Sequence, residues 1–146
     1  MAGAADSPRV PCVNRAIALA ASTGGPAALE RVLFDLATCL RENDALAAML
    51  PPVFITQHLS APFNTLLAAR LSASSGLCCA EAAAGHEIRA GNVYIAPDGV
   101  HMGVLRKCGQ VPHLCLMQMP PVHFCRPAAD PMLESLAGVY GENLLA

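Results

Sequence analysis

The stretch Ala21-Ser22-Thr23-Gly24-Gly25-Pro26 constrains this 146-residue chain more than any other. An apolar run, Ala16 to Ala21, precedes it, and Leu29, Val32, Leu33, Leu36 and Leu40 follow at helical spacing as far as about Glu42. Two adjacent glycines interrupt any regular element, and proline suits the first helical turn, where its missing N–H is not needed. The stretch therefore predicts a buried strand over 15–21, a turn over 22–25 and a helix opening at Pro26.

The same pattern then repeats. Pro51-Pro52 ends an Ala-rich stretch, and 53–57 reads as a second short strand. A second helix is predicted over 62–72, with Phe63, Leu66, Leu67 and Leu71 on one side and Gly76 as its stop. A third strand fits 77–81. This strand–helix alternation favours a parallel sheet covered on both faces.

The second half changes character. Strands at 92–96 and 101–106, joined by Pro97-Asp98-Gly99, predict a hairpin, with 111–118 as a third strand of that antiparallel unit. A loop over 120–127 leads to a helix over 131–140, where Met132, Leu133, Leu136 and Val139 share a face. A crossover helix ordinarily returns the chain to a parallel strand. Six residues follow this one, so the sequence predicts a last helix that crosses to nothing. The expected fold is α/β: a mostly parallel, doubly wound (Rossmann-like) sheet with a small antiparallel hairpin unit and its C-terminal strands missing. A flexible lead is expected over 1–14 and one incomplete domain over 15–146. The Ala-rich stretch 45–49 suits a helix extension, a lid or a neutral insertion equally.

Composition narrows the classes. A hydrophobic fraction of 54% against 14% charged residues indicates a buried core, built from aliphatic residues because tryptophan is absent. Scattered basic residues and a net charge of -2 argue against nucleic acid. No apolar run reaches the roughly 20 residues of a membrane span, and the N-terminus lacks a secretory pattern. Seven cysteines without CxxC spacing suit reduced thiols in a cytoplasmic setting.

Two residues carry chemistry. Ser22 follows the first strand and His58 the second, and in a doubly wound sheet adjacent strand ends share one crevice. A serine hydroxyl needs a base, and the base an orienting acid. Thr23, Gly24 and Gly25 complete the turn, whose helix-end N–H groups suit a developing oxyanion. Other readings stand beside this one. Ser22 or Thr23 suits a helix cap, His58 a plain loop histidine, and the glycine turn a phosphate cradle. Elsewhere, Cys108, His113, Cys115, His123 and Cys125 fall in one window, but their spacing matches no recognised zinc pattern, so no metal is assigned. Cys78-Cys79 read as small buried hydrophobes.

Four segments in order, Ala21-Ser22-Thr23-Gly24-Gly25, Thr56-Gln57-His58-Leu59, Gly91 to Met102, and Arg126-Pro127-Ala128-Ala129-Asp130, closely resemble the catalytic domain of CheB-type chemotaxis protein-glutamate methylesterases. The resemblance covers roughly 15–140. It implies hydrolysis of glutamyl methyl esters, with glutamine deamidation, on the cytoplasmic domain of methyl-accepting chemoreceptors, and no cofactor. It places the nucleophile on Ser22 and the histidine on His58, with Thr23, Gln57 and Met102 close to the site or in its supporting shell and not catalytic.

Three departures qualify the resemblance. The family's aspartate lies in a later Gly-Met-Gly-Xaa-Asp-Gly motif, which 1–146 does not contain. The family's Arg-Pro-Ser-Xaa-Asp pattern has Ala128 in place of serine. Only a short lead stands where the family often has a phospho-receiver domain. Asp98, Asp130, Glu81 and Glu87 are the substitute acids by order, but Asp98 reads as a turn residue and Asp130 as a helix N-cap. Little activity is therefore expected from this chain alone. The alternative is an inactive remnant that binds a receptor or partner, with self-association through an uncovered sheet edge.

Overall fold

The computed structural model describes residues 14–42 and 50–146. The Ala-rich stretch 45–49 and, save Asn14, the N-terminal lead lie outside the described residues. The chain runs β1 (Ala16–Ala21), α1 (Gly25–Arg41), β2 (Val53–Gln57), α2 (Phe63–Ser75), β3 (Cys78–Glu81), β4 (Asn92–Ile95), β5 (His101–Leu105), β6 (His113–Met117) and α3 (Ala129–Tyr140). A 3-10 turn, Gly141–Asn143, then leads to β7 (Leu144–Leu145).

Five strands form one sheet in the order β3-β4-β2-β1-β7, and every pairing in it is parallel. Side chains alternate between its faces, as a two-residue period requires. Ile17, Leu19, Val53, Ile55, Val93 and Ile95 meet Leu29 and Leu33 of α1 and Leu67 and Leu71 of α2. Ala16, Ala18, Phe54 and Tyr94 face the other way, onto Met102, Val104, Leu114, Met132, Leu136 and Tyr140. Phe54 and Tyr94 stack there with ring centroids 5.5 Å apart. Every residue of β2 is buried, as suits a central strand covered on both faces.

Three expectations change. The strand at 92–96 does not pair with the next one. β4 lies between β2 and β3 in the parallel sheet, while β5 pairs antiparallel with β6 in a separate two-stranded sheet. The reason is burial: Val93, Tyr94 and Ile95 are buried on both faces, which a two-stranded hairpin cannot provide. The last helix does not cross to nothing, because β7 returns beside β1 and pairs Ala16 with Leu144 and Ile17 with Leu145. In α2, Leu67 and Leu71 are buried, but Phe63 and Leu66 are 55% and 60% exposed, so the apolar face is narrower than the sequence suggested. Gly76 does end α2, with φ 76° and its N–H on Ser72 O.

Candidate active site

The register between β1 and β2 sets the site. Ala21 pairs with Gln57, so the next residues, Ser22 and His58, leave the sheet at the same level. His58 Nδ1 lies 3.4 Å from Ser22 Oγ, and both side chains are exposed. That spacing is longer than a well-formed hydrogen bond, and catalytic contacts often tighten only around substrate.

The turn between β1 and α1 is built to hold Ser22. Gly24 caps the helix at φ 78°, a left-handed conformation that favours glycine. No side chain caps α1, which leaves neither Ser22 nor Thr23 in the capping role. Gly25 N–H donates to Ser22 O at 2.8 Å, and Gln57 Nε2 donates to the same carbonyl at 2.9 Å. Gln57 is buried, and its other amide atom, Oε1, faces Gly25 with no hydrogen-bond partner among the described residues. Among the described residues no backbone partner is recorded for the N–H of Thr23 or Gly24.

Ser22 and His58 open into a crevice of about 340 Å3, whose far wall comes from the loop before α3 and the first residues of that helix: Val122, His123, Cys125, Ala128, Ala129 and Asp130. That volume lies at the small end of the range for ligand pockets. Val122 and Cys125 close a tight turn through two backbone bonds of 3.0 and 2.9 Å, and its central residues, His123 and Phe124, have φ 48° and 64°. Non-glycine residues seldom adopt such values. His123 Nε2 lies 3.2 Å from Asp130 Oδ2, tying the turn to α3. Below the crevice, Thr56 Oγ1 meets Met132 Sδ at 3.2 Å and joins β2 to α3.

The chain belongs to the CheB methylesterase family. The family's profile matches residues 17–146. A protein-glutamate methylesterase/protein-glutamine glutaminase 1 of Paramagnetospirillum magneticum is 45% identical over 130 residues, 89% of this chain and 32% of that protein. Its namesake in Rhodospirillum rubrum is 42% identical over the same shares. The CheB methylesterase catalytic domain of Thermotoga maritima superposes with a TM-score of 0.73 at 29% identity, covering 90% of this chain and 64% of that one. This CheB-family chain thus spans about a third of the length of the curated relatives it matches.

The substitute acids resolve differently from the sequence reading. Ala128, not Asp130, is the N-cap of α3, and Asp130 sits in the first helical turn, on the crevice wall. Asp98 reaches outside its own turn: its Oδ2 accepts from Ala61 N–H at 3.1 Å. Glu81 accepts from Thr65 Oγ1 at 2.8 Å, and Glu87 lies 4.0 Å from Arg89. Among the described residues no carboxylate forms an ion pair with His58. Met102, on β5, is fully buried in the core and does not line the crevice. Cys78 is exposed and Cys79 half-buried, against the expectation of two buried thiols. Among the described residues no group of three or more His, Cys, Asp or Glu is placed to hold a metal. No helix among them is long and apolar enough to cross a membrane. Sequence reasoning missed His123 and Cys125 as crevice residues; their place beside the Arg126 to Asp130 motif was the available signal.

Proposed function

We propose that this chain carries the nucleophile and base of a serine esterase that hydrolyses glutamyl methyl esters on cytoplasmic domains of methyl-accepting chemoreceptors. The observation that carries the reading is Ser22 Oγ facing His58 Nδ1 at adjoining strand ends. Ser22 attacks the ester carbonyl while His58 takes the hydroxyl proton. The N–H groups of Thr23 and Gly24 receive the oxyanion, since Gly25 N–H is already engaged. The C–O bond breaks, His58 returns its proton to the methoxy group, and methanol leaves. A water then attacks the acyl-serine with His58 as base, releasing glutamate and restoring Ser22. A glutamine amide follows the same path with ammonia as leaving group.

The reading includes slow turnover by this chain alone, because His58 has no carboxylate partner among the described residues. Loss of the orienting acid costs about 10⁴ in rate in triad enzymes. The same observation supports a second reading, a receptor-binding module without catalysis. A fluorophosphonate probe separates the two. Ser22-dependent labelling, lost in Ser22→Ala, supports the esterase; no difference between the two proteins rejects it. Rapid methanol release from methylated receptor by the isolated chain would reject the slow-turnover part.

A further inference from the structure

His101 is fully buried, yet both of its ring nitrogens are engaged by backbone. Ala128 N–H points at Nδ1 from 3.1 Å, and Pro120 O lies 3.0 Å from Nε2. A backbone N–H only donates and a carbonyl only accepts. Nδ1 must therefore be bare and Nε2 must carry the proton. A second proton on Nδ1 would set N–H against N–H.

The two partners bracket the segment that builds the far wall of the crevice. Between Pro120 and Ala128 lie Val122, His123 and Cys125, and Asp130 follows. The same segment contains the two residues with positive φ. Strained backbone of this kind persists only where its surroundings over-determine it. His101 fixes one end of the segment at Pro120 and the other at Ala128, the N-cap of α3, which no side-chain oxygen caps.

We infer that His101, held neutral with its proton on Nε2, is a positioning residue that fixes the wall opposite Ser22. That the wall serves serine chemistry rests on the function proposed above; the state of the ring does not.

Nitrogen NMR of the intact chain reads the ring directly. The expected result is a protonated Nε2 and a bare Nδ1 at neutral pH; a proton on Nδ1 overturns the inference, whatever happens to any variant. Two substitutions then separate the bonds. In His101→Gln the amide can reach Pro120 O but not Ala128 N–H, whereas in His101→Asn the reverse holds. Hydrogen exchange at the Ala128 amide should rise about tenfold in His101→Gln and stay near wild type in His101→Asn. Equal exchange in both overturns it. Labelling of Ser22 by a long-chain alkyl phosphonate should fall about tenfold in both variants, with a small methyl phosphonate little changed. An equal fall with both probes would mean general damage and reject the positioning role. Failure of wild type to label at all would reject the proposed serine chemistry and leave the ring and exchange results to judge His101.

Discussion

Gly25 lies so close to the Gln57 amide that no β-carbon fits between them: one built there would collide with Gln57 Oε1 and lie 2.8 Å from Ala21 Cβ. Because Gln57 also holds Ser22 O, this contact links the tight turn to the position of Ser22. Gly25→Ala should cost about 1–3 kcal/mol in chemical unfolding, the usual range for overpacking. It should also slow phosphonate labelling of Ser22. Adding Gln57→Ala should recover part of the stability, and a purely additive double mutant would contradict the contact.

Asp130 lines the crevice but pairs with His123. Both groups are exposed, and such pairs contribute little. Asp130→Asn should therefore leave Ser22 labelling within about threefold of wild type. A loss approaching 10⁴ would instead identify Asp130 as the acid behind His58.

Tyr140 is buried, and its hydroxyl has no hydrogen-bond partner among the described residues. Burial pushes its pKa from 10.0 up to about 12, partly opposed by the charge of Arg106, whose guanidinium lies 5.4 Å from the ring centroid. The folded-state value is raised, so the neutral phenol's contribution is complete below the unfolded pKa of about 10. It is lost as pH rises towards 12. Tyr140→Phe should remove that alkaline loss and raise stability at neutral pH by about 1 kcal/mol. Denaturant titrations at pH 7 and pH 11 check both.

The turn at His123 and Phe124 places two non-glycine residues at positive φ, and the Phe124 side chain is fully exposed. Left-handed backbone costs roughly 1–2 kcal/mol per such residue, and glycine gives back about half through added freedom of the unfolded chain. Phe124→Gly should therefore stabilise the chain by about 0.5–1 kcal/mol. A lower melting temperature would show that Phe124 makes contacts that outweigh its backbone strain.

Much of this architecture was legible because local signals agreed. Val53 to Gln57 carries its strand in a short apolar run, and the helical spacing of Leu29, Leu33 and Leu36 marks α1. Ser22 and His58 were legible as chemistry, and their closeness followed from the parallel order of β1 and β2. The partner of β4 was not legible, because Pro97-Asp98-Gly99 makes the same turn whether the next strand pairs back or leaves for another sheet. β7 escaped notice because two leucines carry no period. Asp130 looked like a cap because acidic residues before proline often are; only the backbone shows that α3 opens at Ala129.

β7 has a consequence for how the sheet assembles. It pairs Ala16 with Leu144 and Ile17 with Leu145, so this ladder joins segments that lie far apart in sequence. The entropy cost of closing a loop grows with its length, and contacts between distant segments are the slow ones to form. Ser22 and His58 do not carry that cost, because β1 and β2 follow one another in the chain as well as in the sheet. The level at which the two side chains meet is therefore set by a nearby pairing, whatever the timing of the distant one.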